Sequence, residues 1–484
     1  MMSVILVNPP SLYHMPKFGM SGKLAYFELS RRQLGPDGFW SLPGEHLGLR
    51  SLQASCAARG IPVDVINGQL LFHRSIGETW DAIRACARKQ GAPALIGFSG
   101  PCQVFSENLH LAGLAKRTWP GCLTVLGHDF ATLNHERILA THPEFDLICA
   151  GEGEKSFPDA ALAVLRGDDP AGIPGVATRH SRLIPGTPLD LDQLPWPARD
   201  DLAPALAAGL SPAIFTSRGC PYRCTFCTTG ETASRFPGSS RYRLKSLDNV
   251  LAEIEALTAR GAEHITITDD LFLTKTPASL DRAAEFARRL LRAKYRISFM
   301  LDCRVDSIDE GVFRLLRQAG LSRVFVGVET MNPGQLSTYN KRYTASSNRR
   351  PYIARQLAIL RDLGIDVVPG IITYHAEMTP SELWDALDLI DTCDIESAFF
   401  FLNRLIAYPG TAVYRRYAEQ GLLTTDWPVP RWEFRNPLIA RVERTMLDAE
   451  NESRSFAELR ELFVSLLHDI APEGRTARPA LADS

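Results

Sequence analysis

The chain is short of the features that mark specialised classes of protein. Its 53 Lys and Arg stand against 55 Asp and Glu, a formal net charge of −2 with no basic excess. A dedicated nucleic-acid binder has to neutralise phosphates, so no nucleic-acid partner is expected. The longest apolar runs, such as residues 397–402, fall far below the ~18–20 residues of a bilayer-spanning helix, so no membrane span is expected. Residues 1–8 are apolar but run straight into Pro9-Pro10, with no basic segment before them and no small-residue cleavage site after. That is not the pattern of a secretory signal, and the expected compartment is the cytoplasm. No internal repeat is visible. A disulfide framework is not expected in a reducing compartment. Of the ten cysteines, Cys56, Cys86, Cys102, Cys122, Cys149, Cys303 and Cys393 are scattered in apolar contexts and read as small core residues.

What is present is ordinary globular material. The 484 residues are 45% hydrophobic, 22% charged and 9% aromatic. That is enough apolar material for more than one core, and at roughly 150 residues per domain the length suggests about three domains.

Residues 1–180 alternate between short apolar runs and helical patterns. Runs at 4–8, 63–66, 95–99, 123–127 and 147–150 are bounded by Gly, Asn, Asp or Pro. Helical spacing appears at 48–59, 76–89, 106–117 and 134–141. Five strands with helical crossovers predict an α/β doubly wound, Rossmann-like parallel sheet. Residues 11–43, rich in Gly, Pro and aromatics, interrupt it as a long insertion of the kind that forms functional loops. Residues 181–210, with Ile184-Pro185-Gly186-Thr187-Pro188 and Leu194-Pro195-Trp196-Pro197, read as a linker. Residues 211–422 form a second alternating series, with strands expected at 213–217, 264–268, 296–301, 323–328, 366–372 and 397–402. Six βα units in a row suggest a partial barrel whose functional groups sit on the loops after its strands. Residues 423–484 are a small helical region with one amphipathic helix near 455–468.

The densest chemistry lies just after the first barrel strand, in Ser217-Arg218-Gly219-Cys220-Pro221-Tyr222-Arg223-Cys224-Thr225-Phe226-Cys227. Three thiolates on one loop can hold three irons of a cube-shaped iron–sulfur cluster and leave the fourth open. Structural zinc would need a fourth ligand, and no His or further Cys lies near. The C-x3-C-x-Phe-C run in this position resembles the radical S-adenosylmethionine (SAM) superfamily, and the likeness extends over about residues 211–422. The resemblance implies that Cys220, Cys224 and Cys227 hold a 4Fe–4S cluster, with Phe226 as the usual aromatic beside it. The open iron would chelate SAM, and an external one-electron reductant of flavodoxin or ferredoxin type would trigger release of a 5′-deoxyadenosyl radical. It further implies SAM contacts at Asp269 and Asp270, at Arg304, and at Glu329 of Gly327-Val328-Glu329-Thr330. On physical grounds alone these are also an Asp pair opening a turn, a salt-bridged Arg and a capping Glu. The turn Tyr408-Pro409-Gly410-Thr411 resembles one branch of the family, with Thr411 as a helix cap. His375 and Glu377, on the loop after the fifth strand, are open to either substrate contact or solvent.

In the first half, Ser99-Gly100, Gly127-His128-Asp129-Phe130-Ala131-Thr132 and Gly151-Glu152-Gly153-Glu154 fall at the carboxyl ends of predicted strands, where open α/β sheets bind ligands. Glycines there admit a flat ligand, and Ser99 and Thr132 offer hydroxyls. With Asn8-Pro9-Pro10 and His46-Leu47-Gly48-Leu49, the series resembles the cobalamin-binding domain that precedes many radical SAM barrels. Cobalamin contacts are thereby implied at Ser99, Gly127, His128, Thr132, Gly151, Glu152 and Gly153. The Asp-x-His-x-x-Gly string that supplies a cobalt ligand in other cobalamin domains is absent. His128 is left as a cobalt ligand or as a hydrogen-bonded loop residue, and a sheet that binds no cobalamin stays open as well.

Together these features resemble a cobalamin-dependent radical SAM enzyme. The implied activity is methylation of an unactivated carbon, less often phosphorus, of a small-molecule precursor. The alternatives are cobalamin-dependent ring formation, contraction or rearrangement, radical SAM chemistry without cobalamin, and a non-enzymatic sensor. A methylthiotransferase is disfavoured, because Cys56, Cys86, Cys102 and Cys122 do not form a second cluster set. A monomer is the default expectation.

Overall fold

Period-two alternation builds the first sheet. In β1 (Ser3–Asn8) every residue is buried, with Ile5 and Val7 feeding one apolar cluster and Val4 and Leu6 the opposite one. A strand covered on both faces reads as a continuous apolar run, as parallel strands do. The computed structural model describes residues 3–10, 44–69, 74–235, 242–341, 349–394, 396–452 and 454–472. The expected insertion at 11–43 and the last residues of the tail lie outside them. β2 (Val63–Asn67), β3 (Pro93–Phe98), β4 (Leu123–Leu126), β5 (Leu147–Cys149) and β6 (Val176–Thr178) complete a sheet of order β2-β1-β3-β4-β5-β6. The first five strands are parallel, as the sequence predicts, in the 2-1-3-4-5 order of a doubly wound sheet. β6 pairs antiparallel with β5. This edge strand has only three residues and carries no alternation long enough to read.

Helices Leu47–Ala57, Ile76–Gln90, Phe105–Thr118, Asp129–Thr141 and Gly153–Arg166 cover the sheet. Their starts follow capping chemistry: His46 Nδ1 accepts from the Leu49 amide, and Ser75 with Glu78 forms a capping box. Ion pairs fasten the linker to both halves. Arg50 holds Asp200 and Asp201, while Arg199 holds Glu45 and Glu253.

The second series begins with β7 (Ala213–Ile214), followed by the antiparallel pair β8 (Ser217–Gly219) and β9 (Tyr242–Leu244). β10 (His264–Ile267), β11 (Ser298–Arg304), β12 (Leu321–Glu329) and β13 (Asp366–Ile371) join β7 in a parallel sheet of order β13-β12-β11-β10-β7. Residues 397–402 are not the sixth strand expected: Ala398–Phe401 is a 3₁₀ turn, and the sixth position is held by a single parallel bridge from Tyr374 to Arg404. Consecutive aromatics bury as well in a tight turn as in a strand, so the apolar run alone does not separate the two.

Side chains alternate across this sheet. Ile265, Ile267, Phe299, Leu301, Val324 and Val326 enter the core under the surrounding helices. The opposite face, the barrel lumen, is layered. Arg323 pairs with Asp366 at its base. Above them Asp302 lies in register with Phe325, and Phe325 with Val368. Phe325 is 39% exposed in mid-strand, so the lumen is open at that level. Its ring fits because position 370 is glycine: a Cβ there would lie 2.7 Å from the ring.

Past the barrel, β14 (Leu423–Thr425) and β15 (Arg431–Trp432) pair antiparallel. Two helices then follow, Pro437–Asn451 and Phe456–Ile470, where the sequence suggests one. The missed helix opens with an Asn436 cap and Pro437 in its first turn, a start signal that was there to be read. Phe463 of the last helix packs on Phe401 of the 3₁₀ turn, joining this region to the barrel core. Among the described residues no helix is long and apolar enough to cross a membrane.

Candidate active site

The three clustered cysteines lie between β8 and helix Thr228–Arg235. Gly219 turns the chain at φ +77°, and its amide donates to Asp270 at 3.1 Å. The loop is then docked on the barrel. The Thr225 amide donates to the Tyr339 carbonyl (3.0 Å), the Val413 amide to the Thr225 carbonyl (3.0 Å), and Asn340 to the Arg223 carbonyl (2.9 Å). Phe226 packs edge-on to Tyr339 at 5.1 Å. Gly230 lets the helix close over the loop, since a Cβ there would come within 3.2 Å of the Tyr222 carbonyl.

Cys220, Cys224 and Cys227 are half-buried, and all ten cysteines are free thiols. Burial pushes the Cys220 thiol up to about 11 and raises the other two, with Lys341 and Arg304 opposing the shift at Cys224. The backbone amides of Tyr222 near Cys220, and of Thr229 and Gly230 near Cys227, oppose the rise. Amide dipoles beside a thiolate favour its charged form, the form in which a cysteine binds iron. Among the described residues no three His, Cys, Asp or Glu side chains converge as a single ion requires. A cubic cluster makes a different demand, one thiolate per corner iron, and the three-cysteine loop fits it.

The strand ends supply the surrounding charge. Asp270 is exposed at the barrel mouth, accepting from Gly219 and from the Thr229 hydroxyl at 2.8 Å. Asp269, expected beside it, is turned away. It is 2% exposed and accepts from the Thr216 amide and hydroxyl and from the Ser217 amide, and burial pushes its carboxyl up to about 6. It braces β7 against β10. Consecutive residues at a strand end point to opposite sides, so only one of the pair can face the mouth.

Arg304 is buried, bound to Asp306 and stacked 3.9 Å over Tyr222 of the cysteine loop. Its Nη1 is buried without a hydrogen-bond partner in the structure. An orphaned guanidinium nitrogen next to the cluster loop fits a carboxylate-bearing ligand. Glu329 has φ +66° and pairs with buried Lys341 at 2.6 Å, a pairing that needs glycine at 327 because a Cβ there would meet the Lys341 Nζ at 2.6 Å. His375 is buried and its imidazole is pushed down to about 4, while Glu377 pairs with Arg416.

Sequence reading stops the third barrel strand at 301 and so misses Asp302. Burial, and then the charges of Asp269 and Asp270, push its carboxyl up to about 7. An unfolded Asp ionises near 4, so the contribution of this one carboxyl to stability falls as pH rises from about 4 to 7, by an amount on the order of 2–4 kcal/mol. Asp302→Asn removes that slope. Its melting temperature relative to wild type is expected to rise between pH 5 and pH 8, and a pH-independent difference would show that the carboxyl titrates normally.

At the edge of the first sheet, a cavity of about 290 Å³ is lined by Ser99, Gly127, His128, Gly151, Glu152 and Gly153, together with Leu6, His46 and Phe157. A Cβ at Gly151 would meet nothing within 4 Å, and one at Gly127 nothing closer than 3.9 Å, so both open directly onto space. His128 has φ +86°, and its surroundings hold the imidazole below its usual range. His46 is pushed down to about 4 by burial and by His128. With Nδ1 accepting from Leu49, the neutral His46 ring carries its proton on Nε2. Thr132 does not join this wall. It is 1% exposed, accepts from the Gly151 amide and donates to the His128 carbonyl, bracing one loop on the other.

The two edges face each other. A second cavity of about 280 Å³ runs from Cys102 and His128 to Phe226, Cys227 and Tyr408. The Tyr408–Thr411 turn does more than cap a helix. Gly410 sits against Leu133, where a Cβ would lie 2.8 Å from Leu133 Cβ, and Asn134 donates to the Pro409 carbonyl at 3.0 Å. A third cavity, of about 310 Å³, joins Gly151 and Glu152 to Asp270 and is walled by Thr187 and Pro188 of the linker. Arg218 and Arg243 meet Glu152 there. None of these linker or arginine contacts was foreseen.

Comparison with known proteins finds relatives of this chain in sequence and in fold. Residues 214–390 match the Radical SAM superfamily. An uncharacterized methyltransferase of Pyrococcus horikoshii is 25% identical over 352 residues, 70% of this chain and 72% of that protein. The hopanoid C-3 methylase of Methylococcus capsulatus is 29% identical over 339 residues, 68% of this chain and 61% of that one. Among solved structures, the cobalamin-dependent S-adenosylmethionine radical enzyme OxsB, with aqua-cobalamin and S-adenosylmethionine bound, has the same fold. It matches with a TM-score of 0.73 at 17% identity, covering 98% of this chain and 74% of that one.

Proposed function

We propose that this chain, which belongs to the radical SAM superfamily through residues 214–390, is a cobalamin-dependent radical SAM methyltransferase acting on an unactivated carbon of a small-molecule precursor. The observation that carries the reading is the cavity joining His128 on the first sheet to Cys227 on the cluster loop. Two cofactor sites that face each other across one cavity suit a reaction in which one makes a substrate radical and the other alkylates it. When bound, the cluster and SAM supply a 5′-deoxyadenosyl radical and cobalamin supplies a methyl group.

The chain's own residues hold and exclude. Cys220, Cys224 and Cys227 would ligate the cluster, with amide donors easing the thiolate charge. Arg304 offers its free Nη1 to the carboxylate of SAM, and Asp270 at the mouth suits its cationic end. Gly127 and Gly151 would let cobalamin lie close against backbone, with His128 and neutral His46 at its side. Residues 1–180 act in this reading as the cobalamin unit, 181–210 as linker and 211–422 as the radical unit. In this reading, with both cofactors and substrate bound, the facing edges would hold the reacting groups in orientation, which does much of the work. In the lumen, Phe325 and Asp302 fit a substrate with an apolar surface and a hydrogen-bond donor. The reading includes an external reductant of flavodoxin or ferredoxin type, a monomeric chain and a cytoplasmic setting.

The test is anaerobic reconstitution with iron, sulfide and hydroxocobalamin, followed by reduction in the presence of SAM carrying a deuterated methyl group. About four irons and one cobalamin per chain are expected, with 5′-deoxyadenosine formed and label appearing in a product from a metabolite extract. Formation of 5′-deoxyadenosine with cobalamin bound but no label transferred would move the reaction to ring formation or rearrangement. Iron without cobalamin would overturn the methyl-transfer reading.

A further inference from the structure

Both ends of the cluster loop are clamped to the first sheet. Arg218, two residues before Cys220, reaches Glu154 and lies 3.5 Å from Glu152. Its guanidinium carbon lies over the Phe215 ring, 4.5 Å from the centroid. Arg243 is paired with Arg218 across the β8–β9 ladder and takes the same Glu152. Glu152 in turn accepts from the Leu189 amide at 3.2 Å. At the other end Thr228, directly after Cys227, donates to Asp129, directly after His128, at 3.1 Å. The two loops gripped in this way are the ones that line the first-sheet cavity. Arg218 and Glu152 are also wall residues both there and in the cavity beneath the barrel mouth. A ligand in the first cavity therefore bears on residues whose partners flank the cluster cysteines.

We propose that Arg218 and Thr228 are positioning residues that couple cobalamin binding to cluster binding. This rests on the cofactor reading above. Each cofactor orders walls that the other needs, so the second to bind meets a site already ordered, and linkage makes the effect reciprocal. Pairs within the clamp are partly buried and anchored at both partners, with side-chain exposure of 21% at Arg218 and 7% at Glu154. They differ in this from surface pairs, which contribute little.

The experiment is equilibrium dialysis of hydroxocobalamin against the full chain, with and without its reconstituted cluster, under anaerobic conditions. In wild type the cluster is expected to tighten cobalamin binding by about 5-fold or more, within the range of ordinary coupling. In Thr228→Val that ratio should fall toward 1 while the cluster-free Kd stays near wild type; in Arg218→Gln, which alters a wall of the first cavity, the ratio should fall toward 1 whatever happens to the cluster-free Kd. Arg218→Lys, which keeps the charge but not the fork, should restore part of it. A purely structural role would weaken binding equally in both forms and leave the ratio intact. Equal Kd values in wild type, or an undiminished ratio in both variants, would overturn the coupling and leave the cofactor reading standing. No cobalamin bound by wild type in either form would overturn the cofactor reading and the coupling with it. Should Arg218→Gln fail to fold, Thr228→Val and Asp129→Asn, at the opposite end of the loop, decide the matter.

Discussion

Cys227→Ala is expected to keep its fold and lose its chemistry. The thiol is half-buried at the start of a helix, and its truncation should cost about 1 kcal/mol or less of stability. Bound iron should fall from about four per chain to well below one, because two thiolates do not retain a cubic cluster. The formation of 5′-deoxyadenosine should then drop by more than about 10³-fold, to the assay background. Cys393→Ala is the matching contrast. That thiol is 2% exposed in the barrel core, and burial pushes it up to about 12. Its loss should lower stability by about 1 kcal/mol or more through a small cavity, with four irons retained. Iron content and melting temperature, measured on both variants, separate the roles. A Cys227→Ala chain that still binds four irons would remove that residue from the ligand set.

The same contrast explains which parts of the molecule could be read from sequence. Elements set by local pattern were legible: five parallel strands of the first sheet from apolar runs, the barrel from its βα alternation, and the cysteine loop from spacing that survives any change of context. What escaped depends on where the chain returns. Arg218 and Glu154 are 64 residues apart, Arg243 and Glu152 are 91 apart, and no local signal links either pair. Asp302 is one residue beyond the expected strand end, yet register with Phe325 puts it in the lumen. Asp269 and Thr132 carry the right chemistry in the right loops, but neighbouring hydroxyls and amides consume it. Residue type and loop position indicate a site; which way a side chain faces is settled by register and by competing partners.

Gly127 gives the sharpest separation of the two cofactor sites. Its φ is outside the left-handed region, so a side chain there meets no backbone strain. The nearest atoms to an added Cβ are carbonyl oxygens of Cys149 and Phe98 at 3.9 Å, so the first carbon fits and the rest of the side chain extends into open space. That space is the cavity of about 290 Å³ proposed for cobalamin. Gly127→Leu should therefore fold and melt close to wild type, since it fills a void rather than overpacking a core. Hydroxocobalamin binding should weaken by about 100-fold or more, the equivalent of roughly 3 kcal/mol of steric exclusion. Iron should stay at about four per chain, because Cys220, Cys224 and Cys227 lie on the opposing loop. Cleavage of SAM to 5′-deoxyadenosine should persist in part while transfer of the methyl label ceases, since only the second depends on the blocked site. A Gly127→Leu chain with wild-type cobalamin affinity would place that cofactor elsewhere. Simultaneous loss of iron and cobalamin would instead point to linkage through the clamp, at a strength well beyond the few-fold coupling proposed for it.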